Sequence, residues 1–153
     1  MTKGTFKKVG KSKQRMYGPR AIVICGYLPG EQSSLLGLLE QNGFKDLPTI
    51  FASDQDATKT LKEVLASEDK AGLGKSSEMR RAIIMSGFTQ KELYRFMAIY
   101  RLSEFPSPLW ASLTPISETW SISHLLEELA AESEAMKRQK EPLKSYTHKK
   151  QIE

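Results

Sequence analysis

Two short apolar runs set the rhythm of the chain. Arg20-Ala21-Ile22-Val23-Ile24-Cys25-Gly26-Tyr27 and Arg81-Ala82-Ile83-Ile84-Met85-Ser86-Gly87-Phe88 match position by position, 61 residues apart. Each is a β-rich run followed by a small residue, a glycine and an aromatic, which predicts a buried strand ending in a turn that feeds a helix. After the second run, Thr89 is a cap with Glu92 three residues on. Leu93, Phe96, Met97 and Tyr100 then fall on one helical face. After the first run, Pro29 suits a first helical position, Leu35, Leu36, Leu38 and Leu39 supply the apolar face, and Asn42-Gly43 is a stop signal.

A second strand is expected in each half, at Leu47 to Ala52 and at Pro108 to Leu113, both beginning beside a proline. A closing helix follows, with Leu61-Lys62-Glu63-Val64-Leu65-Ala66 aligned to Leu125-Leu126-Glu127-Glu128-Leu129-Ala130 at an offset of 64. The fold class this predicts is α/β. A tandem duplication of a β-α-β-α unit forms one four-stranded, largely parallel sheet covered by helices, with the two matching strands in its centre. The expected organisation is a basic, flexible arm over 1–19, a single domain over 20–137 and a basic, flexible tail over 138–153. Within the domain, 20–67 is the first repeat, 68–78 a polar linker and 79–136 the second repeat.

Composition changes this picture little. At 39% hydrophobic and 27% charged, 153 residues suffice for one ordinary core. No apolar stretch approaches the roughly 20 residues needed to cross a bilayer, so a soluble protein without a membrane span is expected. Charge changes it more. Residues 1–20 hold seven cations and no acid, and residues 137–153 hold six cations against Glu141 and Glu153, so 21–136 carry −6 of a net +5. Basic ends on an acidic body suit electrostatic contact with nucleic acid or an acidic surface. The interaction candidates there are Lys7, Lys8, Lys11, Lys13 and Arg15 at the front and Lys137, Arg138 and Lys140 at the back.

Catalytic chemistry is not indicated. Gly72-Leu73-Gly74-Lys75-Ser76 resembles the end of a phosphate-binding loop, but Asp69 stands where that motif needs its first glycine, and a strand follows instead of a helix. Cys25 and Ser86 share a strand-end position, yet Ile84 stands where a nucleophile elbow has glycine, and His124 and His148 are not placed as bases. Two histidines and one cysteine offer no metal-ligand spacing, so neither metal nor cofactor is expected. Asp54 with Asp56 and Glu127 with Glu128 read as helix electrostatics. Trp110 and Trp120 flank a strand-to-helix connection containing Thr114. An indole there can fill the core or anchor a partner, and Trp120, just before a helix, suits the core.

The second half resembles the small uncharacterised family known as domain of unknown function 3783. Ser86-Gly87-Phe88-Thr89, Glu92-Leu93, Leu109 to Pro115, Trp120 and Leu125 to Leu129 carry the resemblance, in order and at suitable spacing. Where an asparagine is expected between Thr-Pro and Trp, this chain has Ser117. The resemblance implies no activity. It implies a plastid or bacterial setting, hence chloroplast stroma or bacterial-type cytoplasm. The functional expectation is a non-catalytic binding or assembly protein acting within a larger complex. The alternatives are a nucleic-acid-associated protein using its basic arms and, weakest, an enzyme with an anion site at the turns of Gly26 and Gly87.

Overall fold

The computed structural model describes residues 14–152, with side-chain surroundings described through Gln139. The elements run β1 (Ala21–Cys25), α1 (Pro29–Gln41), β2 (Thr49–Ala52), α2 (Leu61–Leu65), β3 (Ala82–Ser86), α3 (Gln90–Arg101), β4 (Leu109–Ser112) and α4 (Ile122–Ile152). Short 3-10 turns at Asp54–Asp56 and Ser117–Thr119 follow β2 and β4. The strands form one mixed sheet in the order β2-β1-β3-β4. The two strands with matching sequences are therefore central.

Every residue of β1 and β3 is buried, because helices cover both faces. Alternate side chains serve different layers. Ile22, Ile24, Ile83 and Met85 join Leu35, Leu39, Phe96 and Tyr100 of α1 and α3 on one side. Val23, Cys25, Ala82 and Ile84 join Leu61, Val64, Ile122, Leu125 and Leu126 of α2 and α4 on the other. A strand with two covered faces reads as an unbroken apolar run, which is how both appear in the sequence. Each fully buried Ile or Leu contributes roughly 1.5–3 kcal/mol.

The outer pairs, β1 with β2 and β3 with β4, are parallel, whereas β1 and β3 are antiparallel. The sheet is largely parallel, as expected, with one antiparallel pair in its middle. The segment read as a linker explains this. After α2 the chain reaches the start of β2, where Asp69 Oδ1 accepts from the Thr49 N–H at 2.8 Å. It then runs alongside β2 in the same direction, Lys70 N–H donating to Thr49 O and Phe51 N–H to Ala71 O. At the far end, Ser77 and Glu78 bond to Asp54, and the backbone of Met79 and Arg80 lies against Gly26. The chain thus arrives where β1 finishes, and β3 sets off in the opposite direction.

Residues 61 apart occupy matching places. Val23 lies opposite Ile84 in the central ladder, with Ala21 against Ser86 and Cys25 against Ala82 on either side. Ile22 faces Thr49 as Ile83 faces Trp110. The Leu61 N–H donates to Trp120 O and the Ile122 N–H to Lys59 O, both at 3.0 Å. Thr60 bridges Ser121, so α2 and α4 begin side by side at Leu61 and Ile122, 61 residues apart. This spacing and the 64-residue match in sequence differ by about one helical turn, because Leu125 lies three residues beyond Ile122 on the same apolar face.

Candidate functional site

The two outer edges of the sheet are finished differently. In a parallel edge strand, alternate residues turn their backbone groups outward. In β2 these are Thr49 and Phe51, both bonded to residues 69–71 as described above. The strap is held in turn by buried Gln32 of α1. Its side-chain amide donates to Lys75 O and Tyr27 O and accepts from the Gly74 N–H at 2.8 Å. In β4 the inward bonds run from Leu109 N–H to Arg81 O and from Leu113 N–H to Met85 O. The corresponding outward residues are Trp110 and Ser112, and no residue among those described pairs with their backbone groups.

The difference begins where the two closing helices diverge. α2 is five residues long and the chain then turns back along β2, whereas α4 continues as helix from Ile122 to Ile152. Ala130 of α4 occupies the place corresponding to Asp69, so β4 has no strap of its own. A groove of about 370 Å³ opens there between β4 and α4, lined by Pro108, Trp110, Leu129, Ser133, Met136 and Lys137 among others. Met136 is 62% exposed, and Leu129 is partly buried against the core layer of α2 and α4. Arg80 and Lys137 also border the β4 start, with Glu132 and Glu134 on the helix side.

Trp110 is half-buried, its ring set edge-on to Tyr100 at 5.2 Å and to Phe96 at 6.0 Å. Its ring thus lies on the α1 and α3 face of the sheet, while its neighbours Leu109 and Ala111 face α4, and Trp110 borders the groove along the strand edge. Lys137 meets it there, and Arg138 is exposed further along α4. Thr114 and Trp120 lie elsewhere. Thr114 exchanges hydrogen bonds with Ser117, holding the 3-10 turn, and Trp120 packs edge-on to His124 at 4.5 Å beside the core layer of α2 and α4. Ser117, the residue found where asparagine was expected, thus caps a turn. Arg15 is tied to the domain, its guanidinium donating to Gly87 O at 3.2 Å. Lys7, Lys8, Lys11 and Lys13, and the side chain of Lys140, lie outside the described residues. Of the residues around the groove, the sequence pointed to Trp110 and Lys137 but not to Arg80, Ser133 or Met136, although Met136 continues the stripe of Leu125, Leu126 and Leu129 by seven residues from Leu129.

The strand-end turns have a different chemistry from the one an anion site requires. Glu31 accepts from the Leu28 N–H at 2.9 Å and Glu92 from the Thr89 N–H at 3.0 Å, so carboxylates already occupy the N-termini of α1 and α3. Burial pushes both acids up, but the N–H bonds and the guanidinium beside each one, Arg81 for Glu31 and Arg20 for Glu92, outweigh it and leave both below the ordinary carboxylate range. Cys25 and Ser86 are fully buried. Burial, reinforced by the Asp56 charge, pushes the Cys25 thiol up to about 12. Neither side chain faces a dissolved substrate. Among the described residues no cluster of three or more His, Cys, Asp or Glu could hold a metal, and no helix is long and apolar enough to cross a membrane.

Residues 81–136, which run from β3 into α4 and include the whole groove side of β4, match the model of the family described as domain of unknown function (DUF3783). No curated protein and no solved structure matches the chain.

Proposed function

Taking that family for the second half as premise, we propose that this chain is a non-catalytic binding protein that acts within a larger assembly, through the groove between β4 and α4. The observation that carries this is the groove itself. It joins an edge strand with open backbone groups, a half-buried tryptophan and the exposed Met136 within one family-matched unit. Leucine and methionine side chains at a concave, partly apolar surface suit a protein partner. The plastid or bacterial setting is part of the proposal and rests on the family resemblance alone.

The same reading includes a tandem duplication of a β-α-β-α unit. Its support is the 61-residue correspondence, which covers the strand registers, the bonds joining Leu61 and Ile122 across the two halves, and both arginine-glutamate pairs. After duplication, the first half kept a strap over its edge and the second half kept a groove. Purification of the tagged full-length chain from its native source, followed by sizing, tests the proposal. A species well above 17.3 kDa that contains other proteins is expected. Recovery only as the free monomer overturns it.

A further inference from the structure

We propose that the outer edge of β4 receives an extended, acid-bearing segment of a partner protein, laid parallel to the strand as residues 69–72 are laid along β2. This deepens the binding reading above and rests on it. The first half of the chain carries a template for the occupant. Thr49 and Trp110 hold the same register against β1 and β3, and so do Phe51 and Ser112. On Thr49 the N–H is taken by the Asp69 carboxylate and the carbonyl by the Lys70 N–H, while the Phe51 N–H is taken by Ala71 O. At the matching places on β4, the Trp110 and Ser112 backbone groups present the same donors and acceptors, without a partner among the described residues.

Charge agrees with the template. An acid seated on the Trp110 N–H lies at the start of β4, where Arg80 and Lys137 border the surface. Arg80 is exposed and forms no ion pair among the described residues. Among the described residues Lys137 pairs with Glu134, at 4.0 Å. The groove beside Leu109, Leu129 and Met136 then adjoins the residues that precede the acid. Strand addition of this kind draws its affinity from main-chain bonds and its selectivity from such neighbouring pockets.

The test uses the full-length 15N-labelled chain and a synthetic peptide with the sequence of residues 66–75. Saturable shifts at the Trp110 and Ser112 amides, with slowed hydrogen exchange at both, are expected up to about 1 mM peptide, in the range of weak peptide association. Replacing the peptide's aspartate by asparagine should weaken binding about tenfold, because a charge-assisted bond becomes a neutral one. Absence of saturable shifts at these two amides overturns the inference. So does protection of both amides in the free chain: if it persists on dilution the chain covers its own edge, and if it fades a second copy does. In those cases a complex recovered from the native source leaves the binding reading standing. A free monomer recovered there, alongside peptide binding at β4, removes that reading while the edge site remains.

Discussion

Arg20, just before β1, reaches across the sheet's midline to Glu92 at the start of α3, at 2.5 Å. Sixty-one residues later, Arg81 does the same with Glu31 of α1, at 3.0 Å. Each half thus anchors the other half's first helix, and each glutamate also accepts from its own helix's N-terminal backbone. The four side chains are about one quarter exposed, which places these pairs between a solvated and a buried ion pair.

Replacing Glu31 or Glu92 by glutamine is expected to lower the unfolding free energy by about 1 kcal/mol each, through loss of a charge-assisted bond. Both acids titrate below their ordinary 4.5 in the folded chain. Their contribution is therefore complete above pH 4.5 and is lost as the pH falls through the folded values. Urea unfolding between pH 7 and pH 3 checks this. The double variant should be less stable at pH 7 and show a shallower loss of stability below pH 4.5.

Cys25 is expected to resist alkylation in the native chain at neutral pH and to react on unfolding, because the thiolate is the reactive form and burial holds the thiol protonated to about 12. A group whose folded value lies above its ordinary 9.0 stabilises fully below pH 9.0. That contribution declines as pH rises toward 12. Iodoacetamide labelling followed by mass spectrometry, with and without urea, reads the first point directly.

Ser86 is fully buried and its hydroxyl has no hydrogen-bond partner among the described residues. An unsatisfied buried hydroxyl costs about 1–3 kcal/mol, so Ser86→Ala is expected to leave the melting temperature unchanged or raise it. Calorimetry that found a large decrease would mean the hydroxyl has a partner after all.

Gly72 has a φ of +80°, and a Cβ there would collide with the Phe51 carbonyl. Gly72→Ala is expected to cost about 2–3 kcal/mol and to loosen the strap along β2. Gly74 also has a positive φ, +90°, but no neighbour near its missing Cβ. Gly74→Ala should therefore cost only about 1 kcal/mol. Thermal melts of the two variants, with hydrogen exchange at Thr49 and Phe51, separate backbone strain from the steric clash.

The strands, the capped helix α3 and the central position of β1 and β3 were legible because each depends on local pattern: an apolar run, a Thr-x-x-Glu cap, a matched pair of segments. The direction of β3 was not. It depends on residues 68–78, whose polar, glycine-containing composition reads as a loop although their backbone bonds run along β2. The pairing of α2 with α4 was ambiguous in the sequence because a leucine stripe looks alike one helical turn on, whereas the bridge between Thr60 and Ser121 fixes which residues lie side by side. For the groove, Trp110 was visible as a residue whose type suits either core or contact. Its neighbours Leu129 and Met136 became visible only once α4 was seen to continue as helix to Ile152.

The binding account is tested most directly by comparing the tagged wild-type chain with a Met136→Glu, Lys137→Glu variant in purification from the native source. Both side chains are on the exposed, distal part of α4, so the variant should melt within about 0.5 kcal/mol of the wild type. The account predicts that the wild type is recovered in a larger complex and the equally folded variant as the free chain. Recovery of both chains in the same complex, at the same yield, would contradict it.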